Sequence, residues 1–143
     1  MSSSATDSSS SKGKRKFGDK QLKVLIVDDD DMSHTAYILM LQKCGVETLS
    51  VNNGEVAVRI HDLTEMRFDL ILMSSVMPMM DGIQATKKLR SMRITSMIVG
   101  MTTLYDNEDY RKEFMEASLD ECYEKPLTME IFKSLIEKIS NKA

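Results

Sequence analysis

Residues 69–82 read Asp-Leu-Ile-Leu-Met-Ser-Ser-Val-Met-Pro-Met-Met-Asp-Gly. No other stretch constrains the fold as strongly. Leu70 to Met73 form a short unbroken apolar run between polar residues. Such a run is a strand buried on both faces, the kind found in parallel sheets. Pro78 and the Asp81-Gly82 pair then signal a turn. In doubly wound sheets ligands bind just outside the carboxyl ends of the strands. Ser74 and Ser75 therefore stand where chemistry is expected.

The flanking sequence supplies the rest of such a sheet. Residues 22–27 form a β-branched apolar strand that runs into Asp28-Asp29-Asp30-Asp31. Adjacent carboxylates repel, and burying one without a partner is costly. Two readings stay open: some of them cap the next helix, or some hold a hard divalent cation such as Mg²⁺ through oxygen ligands. Helical spacing follows over 33–44, closed by Gly45. Residues 46–51 are a weaker strand, placed at an edge because Glu47, Thr48 and Ser50 interrupt it. A turn at Asn52-Asn53-Gly54 leads into a helix over 55–63, with Val56, Ile60 and Leu63 on one face. Further helices are predicted over 83–92, over 107–117 with Tyr110, Phe114 and Met115 inward, and over 129–139 with Ile131, Phe132, Leu135, Ile136 and Ile139 as the apolar stripe. Strands over 97–101 and 121–124 end at Thr102-Thr103 and at Lys125-Pro126. Strands alternating with helices imply right-handed βαβ crossovers and a parallel sheet covered on both faces.

Composition narrows the class. With 143 residues the chain suffices for one domain, expected over 21–141. Residues 1–20 are Ser- and Lys-rich and read as a disordered tail. Within it Lys12-Gly-Lys-Arg-Lys16 is either a nuclear-import signal or a solvated cluster. The net charge of -3 argues against direct nucleic-acid binding by the folded part. No apolar run approaches the roughly 20 residues a membrane span needs, and the N-terminal region lacks the apolar core of a signal peptide. Cys44 and Cys122 are too few and too distant for a disulfide framework. The expected location is the cytoplasm, and also the nucleus if the basic cluster is a signal. His34 and His61 lie far from any Cys cluster, which disfavours zinc, and the scattered glycines form no dinucleotide fingerprint.

Collecting the strand ends gives a constellation. The first strand offers Asp28 and Asp29, the third Ser74, the fourth Thr102 and the fifth Lys125. A parallel sheet brings these to one edge, near the switch point between strands one and three. Taken in order, these residues resemble the response-regulator receiver family over residues 22–139. The resemblance implies a flavodoxin-like five-stranded sheet of order 2-1-3-4-5. It also implies Mg²⁺ held by Asp28, Asp29 and the Val76 backbone carbonyl, a switch hydroxyl at Thr102, and a cationic partner of the phosphoryl group at Lys125, before a cis proline. Among receivers the chain is most similar to plant type-C, receiver-only regulators. Thr86-Lys-Lys-Leu-Arg90, Thr95-Ser-Met-Ile-Val-Gly100, Phe114-Met-Glu-Ala117 and Glu124-Lys-Pro-Leu-Thr128 carry that likeness. The implied setting is a His-to-Asp phosphorelay, cytokinin signalling included, with His-containing phosphotransfer proteins as partners.

The departures from that family matter most. The phosphoacceptor Asp stands four residues before the Pro in receivers, and here that position is Ser74. A serine hydroxyl needs a general base to attack phosphorus, and none is evident. Losing a carboxylate also weakens the Mg²⁺ site. Ser75 comes one position late and is expected to face elsewhere. Cys122 stands where receivers usually carry the aromatic that rotates on activation, and Thr103 is bulkier than usual. The expected function is that of a monomeric, non-enzymatic pseudo-receiver that docks phosphotransfer proteins through its first helix, with Ala36, Tyr37 and Met40 outward. The alternative is a phosphatase-like drain of phosphoryl groups.

Overall fold

A computed structural model describes residues 16, 17 and 20–141. Five strands form a parallel sheet: β1 (Lys23–Val27), β2 (Glu47–Val51), β3 (Leu70–Ser74), β4 (Met97–Thr102) and β5 (Glu121–Glu124). The spatial order is β2-β1-β3-β4-β5, and every pairing is parallel. This is the order expected for a flavodoxin-like receiver sheet. The helices are α1 (Asp31–Lys43), α2 (Gly54–Leu63), α3 (Gly82–Ser91), α4 (Glu108–Glu116) and α5 (Met129–Ser140). The predicted tail lies largely outside the described residues. Within them, Lys16–Phe17 and Lys20–Gln21 pair as a short antiparallel ladder.

Strand alternation sorts the core into two layers. Val24, Ile26, Leu70, Leu72, Val99 and Met101 face α1 and α5, meeting Tyr37, Leu41, Phe132 and Leu135. Leu25, Val27, Ile71, Met73 and Ile98 face the other way, onto Ala57, Ile83, Leu89 and Phe114 of α2, α3 and α4. The central strands β3 and β4 are buried along their whole length. A parallel strand covered by helices on both sides has no face left for a polar residue. Edge strand β2 is only half-buried, which is why it tolerates Glu47, Thr48 and Ser50.

Each helix starts at a side chain that accepts an orphan amide. Asp30 caps α1, Asn53 caps α2, Asp81 closes a capping box with Gln84 on α3, Asn107 caps α4 and Thr128 caps α5. Caps of this kind contribute about 1 kcal/mol each. Capping therefore accounts for one of the four consecutive aspartates. The Ser33 hydroxyl and the Met32 amide bond the Asp30 carboxylate and hold its pKa below the usual range.

Three predicted helix faces need correcting. On α2 the buried residues are Gly54, Ala57, Val58 and His61, while Val56 and Leu63 are exposed. On α4 only Phe114 is fully buried and Met115 is exposed. On α1 Tyr37 points into the core. Its ring meets Phe132 edge-on at 5.3 Å, and its hydroxyl accepts the Leu127 amide at 3.3 Å.

Candidate functional site

The carboxyl ends of β1, β3, β4 and β5 converge at one rim of the sheet. Asp28 follows β1 directly and is fully buried. Its Oδ2 meets Lys125 Nζ at 2.9 Å, and its Oδ1 accepts the Asp30 amide at 3.1 Å. Lys125 follows β5, at the start of a cis Lys125–Pro126 peptide. Its Nζ also donates to Ser74 Oγ at 2.7 Å. One ammonium thus bridges a buried carboxylate and a buried hydroxyl. Burying that carboxylate without the ammonium would cost several kcal/mol, on the order of 3–5.

The second half of the rim is built from hydroxyls. Ser75 Oγ donates to Thr102 Oγ1 at 2.9 Å, and the same Thr102 oxygen accepts the Leu104 amide at 2.9 Å. The Lys125 amide donates to the Thr102 carbonyl at 2.9 Å, tying the two halves together. The placement of Ser75 corrects the expectation that it faces elsewhere. It is buried, and its hydroxyl bonds Thr102. Strand alternation fails here because the strand has ended. The Ser75 amide still donates to Met101, but its carbonyl accepts from Gly82 at the start of α3. Gly82 is required at that contact: a Cβ there would stand 2.1 Å from the Ser74 carbonyl oxygen.

Of the predicted residues, the structure brings Asp28, Ser74, Thr102 and Lys125 together. Asp29 is exposed, as is Val76 on the β3–α3 loop. Among the described residues no group of three or more His, Cys, Asp and Glu side chains is arranged to hold a metal ion.

One neighbour escaped the sequence reading. Tyr110 of α4 is half-buried and packs against the apolar layer that also carries Cys122. Burial pushes its pKa up, and the nearby Asp81, Glu113 and Cys122 add to the rise. The small side chain at 122 and the aromatic reaching in from α4 are thus neighbours. The pairing of a small β5 residue with an α4 tyrosine was the available signal.

The fold agrees with comparison to known proteins. The family model of the response regulator receiver domain matches residues 24–137. The chain belongs to this receiver family. It is 50% identical over 109 residues to the two-component response regulator ARR22 of Arabidopsis thaliana, covering 76% of this chain and 77% of that one. It is 43% identical over 124 residues to the Arabidopsis two-component response regulator 24, covering 87% and 88%. Among solved structures it is similar to the receiver domain of sensor histidine kinase PA1611 from Pseudomonas aeruginosa. There the TM-score is 0.74 at 25% identity, with 85% of this chain and 98% of that chain covered. That receiver has a magnesium ion coordinated in its active-site cleft. The receiver assignment made from the strand ends therefore holds, as does the likeness to plant two-component regulators. No helix among the described residues is long and apolar enough to cross a membrane.

Proposed function

We propose that this receiver is a binding module of a His-to-Asp phosphorelay that docks His-containing phosphotransfer proteins without accepting their phosphoryl group. The observation that carries this reading is the Lys125 Nζ contact to Ser74 Oγ at 2.7 Å. A receiver needs a carboxylate at this place as nucleophile. Serine becomes one only when a base takes its proton. The partner of Ser74 here is a donor, and Asp28 holds that donor by an ion pair at 2.9 Å. Among the described residues no carboxylate or imidazole hydrogen-bonds the Ser74 hydroxyl.

The family implies Mg²⁺, and the hard oxygen donors present suit it. Asp28, Asp29 and the Val76 carbonyl are the groups that would hold it. When bound, the ion supplies positive charge to phosphoryl oxygens. Both Asp28 oxygens already have partners in Lys125 and the Asp30 amide, so the ion competes with them and binds weakly.

Docking needs no phosphoryl chemistry. Met32, Ala36 and Leu39 lie at i, i+4 and i+7 of α1 and form one stripe. Met32 is 81% and Leu39 57% exposed. Apolar side chains exposed together mark an interaction surface. This stripe replaces the expected set: Ala36 stays, Tyr37 is buried, and Met40 packs partly on the core.

The test is incubation of the full chain with a radiolabelled phosphotransfer protein. The expected result is a stable complex by calorimetry, weakened by Ala36→Asp, with the label retained on the partner. Stable label on Ser74 overturns the proposal. Label released as inorganic phosphate at a rate set by this chain favours the phosphatase-like alternative.

A further inference from the structure

The opposite end of the sheet carries a cleft of about 310 Å³, at the lower bound of small-molecule sites. It opens where β3 and β4 begin, roughly 16 Å along the strands from Ser74 and Thr102. Both apolar layers of the core reach it. Phe68 and Ile94 come from one layer, Met97 and Ile139 from the other, and all four are packed so that only their edges face the cleft. Exposed Arg67, Arg93 and Thr95 stand around this apolar floor. The free polar groups are mostly donors. Neither Arg67 nor Arg93 is in an ion pair among the described residues, whereas Arg90, Lys125 and Lys138 are. The loop carbonyls of Ile94 and Ser96 are already taken by Arg90. Asp69 is the single carboxylate in the lining, and its Oδ2 accepts the Lys23 amide at 2.8 Å. Two guanidiniums against one carboxylate leave the lining net positive. Arg67 is anchored through Nη1, which donates to the Thr64 and Met66 carbonyls. Its Nε and Nη2 remain to donate.

Arg93 is fixed by its backbone. The chain leaves α3 through a Schellman turn, with the Ile94 amide on the Leu89 carbonyl and the Arg93 amide on the Arg90 carbonyl. The turn puts Arg93 at a φ of 65°, a left-handed position where glycine is the usual residue and a Cβ is strained. Glycine would relax the turn, so an arginine here points to a use for its side chain, and that side chain lines the cleft. We infer that the cleft binds a small organic carboxylate with an apolar body, its carboxylate on Arg93 and Arg67 and its body against the floor. A guanidinium presents paired N–H groups that match the two oxygens of a carboxylate. A phosphate ester matches the arginines too, but its polar body would be desolvated against Phe68, Ile94, Met97 and Ile139 without hydrogen bonds. Binding makes and breaks no covalent bond, and it needs nothing from the rim around Ser74.

Amide NMR of the full chain tests this, with 3-phenylpropanoate, hexanoate, 3-phenylpropanamide and inorganic phosphate as titrants. Saturable shifts at the Phe68, Arg93, Thr95 and Met97 amides are expected with at least one of the two carboxylates. The neutral 3-phenylpropanamide lacks the charged hydrogen bonds and inorganic phosphate lacks the apolar body. Each is expected to bind about tenfold more weakly. Arg93→Gly is the decisive variant, because it removes the side chain and relieves the positive φ. Its thermal unfolding is expected to be no lower than wild type, while carboxylate binding falls about tenfold. Thr95→Glu, an exposed change that adds an anion to the cleft, is expected to weaken binding as well. No saturable shift with either carboxylate overturns the inference. So does equal binding of 3-phenylpropanoate and 3-phenylpropanamide, or wild-type affinity in Arg93→Gly. Inorganic phosphate binding as tightly as the carboxylates also overturns it, because the floor then plays no part.

Discussion

Lys125 holds the rim together at the level of single residues. It is the ion-pair partner of Asp28, which is fully buried. Lys125→Met removes the cation and leaves a desolvated carboxylate unpaired. The expected loss is about 3 kcal/mol of unfolding free energy, measured by urea titration. Adding Asp28→Asn should recover most of it. A second residue sets the response to pH. His61 of α2 is buried against Phe68, and its Nδ1 donates to the Ala57 carbonyl at 2.8 Å. Its Nε2 is buried with no hydrogen-bond partner. Burial pushes its pKa below 6.5, outweighing the bond to Ala57. The unfolded chain takes up a proton near pH 6.5 while the folded chain resists it. Stability is therefore flat above that pH and falls as pH drops through it towards the depressed folded value. Thermal unfolding at pH 7.5 and 5.5 should show a drop in Tm that His61→Leu reduces.

Helices and strands differ in how much of them the sequence reveals. All five strands and five helices were legible, because apolar runs, caps and turn signals coincide at each boundary. The sides of the helices were less so. On α2 the contact with α3 and the loop before it is so close that a Cβ on Gly54 would lie 2.8 Å from the Ala85 Cβ and 2.5 Å from the Met80 carbonyl oxygen. That spacing selects Gly54 and Ala57 for the interface, and the larger Val56 and Leu63 are turned out. Helical periodicity alone fits either stripe. The site was legible where it consists of strand ends. Ser75 was misplaced because alternation was carried one residue past Ser74, where the chain already turns into α3. Tyr110 was missed as a neighbour of Cys122 because it comes from a helix, and no strand-end rule points to it. The lower end of the sheet has its own brace. Arg90 of α3 donates to the carbonyls of Ser118, Ile94 and Ser96 and to the Asp120 carboxylate. Asp120 in turn accepts the Ile98 amide. Arg90→Ala should cost about 2 kcal/mol by the usual worth of charged hydrogen bonds. Hydrogen exchange at the Ile98 and Asp120 amides should quicken.

The whole molecule keeps a receiver's sheet and a cis Lys125–Pro126 peptide, while the hydroxyl of Ser74 stands in front of the Lys125 ammonium. The proposed weak metal binding and lack of phosphoryl acceptance rest on that one rim, while most of the core lies in the two apolar layers. The two can therefore be separated by experiment. Mg²⁺ titrated against amide NMR shifts at the end of β1 should give weak binding, without saturation at low millimolar metal, and Ser74→Asp should tighten it. The most direct measurement is intact-mass spectrometry after incubation with acetyl phosphate or phosphoramidate and Mg²⁺. Wild type is expected to stay unmodified, while Ser74→Asp gains a single hydroxylamine-sensitive phosphoryl group beside Lys125 and Thr102. A phosphoryl adduct on wild-type Ser74 would contradict the account.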